Sequence, residues 1–99
     1  MKGLRIEWDP PKAAANRRKH GVTFEEARSV FIDDDALLIA DPEHSAAEDR
    51  FVLLGMSARL RVLVVIHAYR EREDVVRLIS ARKADRNEQL AYSRRRRSD

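Results

Sequence analysis

The chain reads as one α+β domain: a mainly antiparallel sheet of four to five strands with two N-terminal helices and one C-terminal helix, in the order β-α-α-β-β-β-β-α. The helices are expected on one side of the sheet. Three observations lead there. Two capped helical segments occupy the chain up to Asp35, short apolar runs separated by charged turns fill Ala36 to Ser80, and a capping pattern at Asp85 opens a last helix. A chain of 99 residues fits a single domain with a thin core.

Leu4-Arg5-Ile6-Glu7-Trp8 alternates apolar and charged side chains, the pattern of a half-buried strand. Asp9-Pro10-Pro11 ends it and opens a helix. Asp9 caps free amides, and proline is tolerated in a first turn whose N–H groups have no helical partner. The helix runs to His20, where Gly21 supplies the left-handed residue beyond its end. Thr23 and Glu26 form a capping box for a second helix, with Phe24, Ala27, Val30 and Phe31 on its buried face and Asp33-Asp34-Asp35 at its end.

Ala36 to Ala40 reads as a short strand and Asp41 to Asp49 as a polar loop. Arg50–Ser57 and Arg61–Tyr69 pair as a hairpin about Ala58-Arg59-Leu60, and Asp74–Ser80 follows the charged turn Arg70-Glu71-Arg72-Glu73. Along the central strand, Val62, Val64, Ile66 and Ala68 are read as the core face. Arg61, Leu63, Val65, His67 and Tyr69 then form a mixed face, open to RNA or a partner protein, or simply the wet side of an ordinary sheet. Asp85 and Glu88 repeat the capping-box spacing before the final helix. Residues 1–93 are expected to form the domain, and 94–99 a frayed basic tail around the like-charge block Arg94–Arg97.

The formal charge of +3 conceals an asymmetry, because residues 1–49 carry −4 and residues 50–99 carry +7. Basic charge gathered on one part of a small fold attracts polyanions. The absence of cysteine excludes disulfides, thiolate metal sites and cysteine nucleophiles, and fits a cytoplasmic location. Neither a signal-peptide core near Met1 nor a membrane-spanning apolar run is present, so no membrane role is expected.

Several constellations can carry chemistry. At roughly 100° per residue, Lys12, Asn16, Lys19 and His20 fall on one side of the first helix and can hold a phosphate. The plain alternative is a solvent face, with His20 suiting the helix dipole. On the last strand, regular alternation places Arg77 with Val75 and Ile79, and Ser80 and Arg82 on the other face with Leu78. Arg82 and Lys83 mark the strand-to-helix junction. A guanidinium fork either pairs with a carboxylate, such as Glu7 or Asp9 for Arg77, or awaits a phosphate. His67 alone is more often structural than catalytic. Three glycines at 3, 21 and 55 make no phosphate loop, and His20, His44 and His67 lack the close pairing of a zinc site. No metal and no cofactor is expected.

Taken in order, Glu7-Trp8-Asp9 with Lys12 and Asn16, the run Lys19-His20-Gly21-Val22-Thr23-Phe24-Glu25-Glu26-Ala27, Asp41-Pro42-Glu43-His44-Ser45, Arg50-Phe51 with Gly55, and Arg77-Leu78-Ile79-Ser80-Ala81-Arg82-Lys83-Ala84 resemble the BrnT family over nearly the full length. The family is the toxin half of type II toxin–antitoxin pairs. The resemblance implies a RelE-like fold, metal-independent endoribonuclease activity that inhibits translation, and neutralisation by a cognate BrnA-like antitoxin. That antitoxin binds DNA, so this chain meets DNA only through the complex.

Carried onto this chain, Lys19, His20, Arg77 and Arg82 fill the family's polar motif positions and are the expected catalytic set. Lys12, Asn16, Arg61, His67 and Lys83 are the expected RNA-binding set. Two other readings are carried: a non-catalytic RNA- or DNA-binding module, and a toxin that acts by trapping a protein target.

Overall fold

In a computed structural model describing residues 5–40, 50–69 and 74–97, the elements follow the expected order. They are β1 (Arg5–Glu7), α1 (Pro10–His20), α2 (Phe24–Ser29), a 3₁₀ turn (Val30–Ile32), β2 (Leu37–Ala40), β3 (Arg50–Met56), β4 (Val62–Tyr69), β5 (Val75–Lys83) and α3 (Arg86–Arg97). The strands form one five-stranded sheet in the order β1-β5-β4-β3-β2, antiparallel except for β1 alongside β5. The expected strand start at Leu4, the loop Asp41–Asp49 and the turn Arg70–Glu73 lie outside the described residues.

The helices cap as their sequences require. Asp9 Oδ2 faces the Lys12 N–H at 3.4 Å, and Gly21 (φ 70°) donates its N–H to Arg17 O at 2.9 Å. Thr23 Oγ1 accepts from Glu26 N at 3.0 Å. Asp85 and Glu88 exchange backbone-to-side-chain bonds of 2.8 Å at the start of α3. The β3–β4 hairpin turns through Ser57 to Arg61, with Leu60 in the left-handed region at φ 63°.

Two expectations about the sheet are corrected. The principal core joins Val22, Phe24, Ala27 and Val30 to Leu53, Leu63, Val65, Val76, Leu78 and Ala81. Leu63, Val65 and His67 therefore lie on the covered face of β4, not on an open one. Val64 belongs to a second cluster, with Leu54, Ala84 and Tyr92 of α3. Since neighbouring residues of a strand point to opposite faces, α1 and α2 cover one face of the sheet and α3 the other. Helices thus flank the sheet on both sides. A β4 strand apolar on both faces carries no sign in its alternation, and this inverted the expectation.

The second correction concerns β5. It runs to Lys83, three residues past its expected end, and carries a bulge: Ile66 pairs with Ser80 but His67 with Leu78, leaving Ile79 extra. The bulge flips the parity. Val76, Leu78 and Ala81 face the α1–α2 core, whereas Arg77, Ser80 and Arg82, paired with Ala68, Ile66 and Val64, share the α3 face. Strict alternation had placed Arg77 and Arg82 on opposite faces. The C-terminal block is corrected too: α3 continues through Arg97, where arginines suit the negative end of the helix dipole and Arg96 lies 3.6 Å from Asp35.

Gly55 is set by close approach. A Cβ there would stand 2.8 Å from Ala36 Cβ and 2.9 Å from Val30 Cγ1, so the 3₁₀ turn seats directly on β3. Asp33, just beyond that turn, accepts from Met56 N at 2.8 Å and from the Tyr92 hydroxyl at 2.6 Å, tying α3 to the opposite layer.

α1 is docked by Asn16, which is 7 % exposed. Its Nδ2 donates to Ala81 O (2.8 Å) and Val22 O (3.0 Å), while Oδ1 accepts from Ala81 N (3.0 Å). Replacing Asn16 with Ala leaves three buried backbone groups unpaired and should cost about 2–4 kcal/mol in urea unfolding. Asn16→Asp should rescue little of it, since a carboxylate accepts but cannot donate. Leu60→Gly should instead raise stability by about 0.5–1 kcal/mol, because glycine takes the left-handed conformation without steric cost. The Leu60 side chain is 82 % exposed, so little packing is lost.

Candidate functional site

The sequence-nominated residues fall into three groups. On α1, Lys12 and Lys19 are exposed and His20 is half-buried at the helix end. Asn16 of the same stripe points inward, and its amide is engaged by Ala81 and Val22. The last turn of α1 concentrates Arg17, Arg18, Lys19 and His20, cations that the helix C-terminus favours.

Arg61 and His67 are the second group, and the fold uses both. Arg61 Nε and Nη2 donate to the two carboxylate oxygens of Glu26 at 2.7 and 2.6 Å, and Nη2 also donates to Gly21 O at 3.1 Å. Ser57 Oγ adds a 2.7 Å bond to Glu26. The Arg61 bond is the main cause holding the Glu26 carboxyl below its usual range, against the opposing effect of burial. This cluster locks the α1–α2 junction to the hairpin.

His67 is fully buried, with Phe31, Phe51 and Tyr69 centred 5.0, 6.1 and 5.6 Å from its ring. Its Nδ1 lies 3.3 Å from Val65 O, and Nε2 has no hydrogen-bond partner among the described residues. Burial pushes the imidazole pKa down, outweighing the Val65 carbonyl. An exposed RNA-contacting position for His67 does not match this burial.

Arg77, Arg82 and Lys83 on β5 are the third group. Arg82 makes a fork-on-fork pair with Glu88, Nη1 to Oε1 and Nη2 to Oε2 at 2.8 Å each, its side chain remaining 40 % exposed. The pair holds Glu88 low and Arg82 high in pKa. Arg77 lies in register with Glu7 of β1. Lys83 is exposed at the strand end.

The sequence search missed Glu26 and Glu88, the carboxylates that orient Arg61 and Arg82. Both were noted only as capping residues. The bidentate contacts appear once the hairpin and α3 are folded back.

The Asn16 clamp fixes the helix of the first group to the strand of the third. It fixes α1 against Ala81, next to Arg82 in the chain, and His20 follows one turn later, about 6 Å further along the axis. The Arg61–Gly21 bond sets that turn beside the start of β4, where Ala84 N donates to Val62 O at 2.9 Å. Arg82 itself projects to the α3 face. Among the described residues no group of three or more His, Cys, Asp or Glu is placed to hold a metal ion, and no helix is long and apolar enough to cross a membrane.

A small α+β domain with cations gathered where its longest strand ends is the class that fold and surface define. Residues 8–88 match the family described as the ribonuclease toxin, BrnT, of type II toxin–antitoxin systems, and the chain belongs to that family. Among solved structures it is similar to the 1.1 Å crystal structure of the Brucella abortus ribonuclease toxin BrnT, at 25 % identity and a TM-score of 0.63. That match covers 84 % of this chain and 99 % of the other. No curated protein sequence matches significantly.

His67 gives a pH prediction. The folded state holds its imidazole neutral, so it binds fewer protons than the unfolded chain once pH falls below the ordinary value of 6.5. Stability should be flat in this group above that pH and fall on acidification, by up to about 1.4 kcal/mol per pH unit. His67→Leu should remove this slope between about pH 5 and 6.5 in urea midpoints, leaving the carboxylate-dependent loss at lower pH.

Proposed function

We propose that this chain inhibits translation by cutting RNA without a metal ion, and that the cut is made where the C-terminal turn of α1 meets the Arg82–Lys83 end of β5. The observation that carries this is the Asn16–Ala81 clamp, which fixes the helix bearing Lys19 and His20 against the edge of the strand bearing Arg82. Beyond Arg77, where β1 stops pairing, an RNA strand crossing that edge can meet both groups.

The reaction is in-line transfer. The 2′-oxygen bonds to phosphorus, the bond from phosphorus to the 5′-oxygen breaks, and the products are a 2′,3′-cyclic phosphate and a 5′-hydroxyl. One group takes the 2′-proton, and an acid returns a proton to the leaving oxygen. His20 is assigned to this proton transfer because an imidazole ring can both accept and donate a proton. Arg82 and Arg77, brought to one sheet face by the bulge, neutralise charge building on the phosphorane, and Lys19 and Lys83 hold flanking phosphates. Arg82 reaches the phosphate from a guanidinium already oriented by Glu88. Asn16, Arg61 and His67 serve this site through the fold.

The remaining parts of the proposal follow the family. A cognate BrnA-like, DNA-binding antitoxin neutralises the chain, DNA is met only through that complex, and the work is done in the cytoplasm.

Purified protein should shorten RNA in the presence of EDTA, and loss of cleavage on chelation overturns metal independence. Arg82→Ala should lower the cleavage rate about 100-fold, the scale of losing one charge-stabilising donor. Glu88→Ala removes the same brace on α3 but keeps the guanidinium, so it should retain cleavage. Equal loss in both variants would assign Arg82 to the fold alone.

A further inference from the structure

A cleft of about 370 Å³ opens between α3 and the β3–β4 hairpin, and none of the residues nominated for catalysis lines it. Its volume falls at the lower end of small-ligand sites, about 300–1,000 Å³. The floor is apolar, from Met56 and Val62, and the rim carries Lys83, Gln89, Ser93 and Arg96. Gln89, Ser93 and Arg96 follow one another at i, i+4 and i+7, so one face of α3 supplies the rim while Tyr92 between them anchors the helix inward.

The charge of the cleft is one-sided. Among the described residues no carboxylate lines it. The Lys83 ammonium makes no hydrogen bond or ion pair within them. Among the described residues Arg96 pairs with Asp35 at 3.6 Å and also acts on the Asp33 carboxylate through space, with its side chain 55 % exposed, an arrangement that holds a guanidinium weakly. A second hollow of about 350 Å³ shares Ser93 and Arg96 and continues to Arg97, so the cationic surface extends along the helix as a track. At its other end the cleft adjoins the Arg82–Glu88 pair, because Gln89 follows Glu88 and Lys83 follows Arg82.

An apolar floor for a flat ring, an edge formed by the Ser93 hydroxyl and by the Gln89 amide, whose Nε2 already donates to Ala84 O at 3.2 Å, and cations beside it suit one nucleotide of a single strand. We infer that this cleft is a nucleotide subsite: it takes the base of an RNA residue near the scissile phosphate against Met56 and Val62, edge-on to Gln89 and Ser93, with the adjoining phosphate on Lys83 and Arg96. The inference rests on the ribonuclease function proposed above and adds where the substrate is gripped.

Two measurements separate the cleft from the chemistry. First, the intact protein is titrated with each of the four ribonucleoside 5′-monophosphates, followed by amide NMR shifts. Saturable shifts are expected at the Gln89 side-chain amide and the Ser93 backbone, with none on Lys12, across the molecule. Ser93→Trp, at an exposed position, and the double substitution Lys83→Met with Arg96→Met should each weaken binding about tenfold or more, with the melting temperature measured to verify the fold. Second, Ser93→Trp should raise KM for RNA cleavage about tenfold with kcat little changed, because it fills a gripping subsite and leaves the reacting groups in place. Absence of saturable shifts, or a Ser93→Trp protein that keeps wild-type KM while the wild type cleaves, overturns the subsite and leaves the ribonuclease function standing. Nucleotide binding by a wild type that does not cut RNA has the opposite meaning: the subsite holds and the ribonuclease function fails.

Discussion

The primary amide of Asn16 is the contact on which the arrangement depends. β1 pairs with β5 for three residues, and among the described residues β5 continues six residues beyond that pairing with no strand on its outer side. An exposed strand edge is an invitation to wrong partners. Asn16 occupies part of it, giving Ala81 the donor and acceptor that a neighbouring strand residue would have supplied, and its second N–H holds Val22 O. A single side chain thereby fixes the height of α1 on the sheet, the path of the chain into α2 and the place of the cationic last helical turn.

Around that contact the polar groups are arranged so that few buried charges stand alone. Glu26 sits at the core edge, and its two oxygens are met by the Arg61 fork and Ser57. Buried pairs of this kind add little net stability over an apolar packing, yet losing one partner is costly, so they hold a geometry more than they strengthen it. Asp33 joins the layers in the same manner. Burial alone would raise its carboxyl pKa, but the Met56 N–H and the Tyr92 hydroxyl hold it down, while the phenol itself is pushed up to about 12. His67 departs from this pattern, a neutral ring sealed among aromatics with one nitrogen that finds no hydrogen bond among the described residues.

The surface proposed to work on RNA follows from how the sheet ends. The bulge at Ile79 reverses the parity of β5, so the two arginines flanking it share one face, and α3 then folds over that face and lends Glu88 to one of them. The basic surface proposed to take RNA is thus built from a strand end, a helix end and the flank of a third element.

Much of this was legible beforehand. Element order, both helix caps, the Ala58–Leu60 turn and the capping box at Asp85 come from local chemistry, which needs only residues three or four apart, and the ordered motifs carried the family. What stayed hidden depends on distant partners. Alternation along β4 could not say which face was the core, because both are apolar and the Arg61 and His67 that seemed to mark the wet side are neutralised by Glu26 and an aromatic enclosure. The Lys12–Asn16–Lys19–His20 stripe was a true helical face, but its central amide is spent on Ala81, 65 residues away. The arginine run is the clearest division. Local sequence placed Arg77 on a strand and ended that strand at Ser80, while tertiary structure alone decided that β5 carries Arg82 and Lys83 as well and that Arg77 and Arg82 face the same way, since a bulge is set by the register between two strands and not by either strand's own pattern.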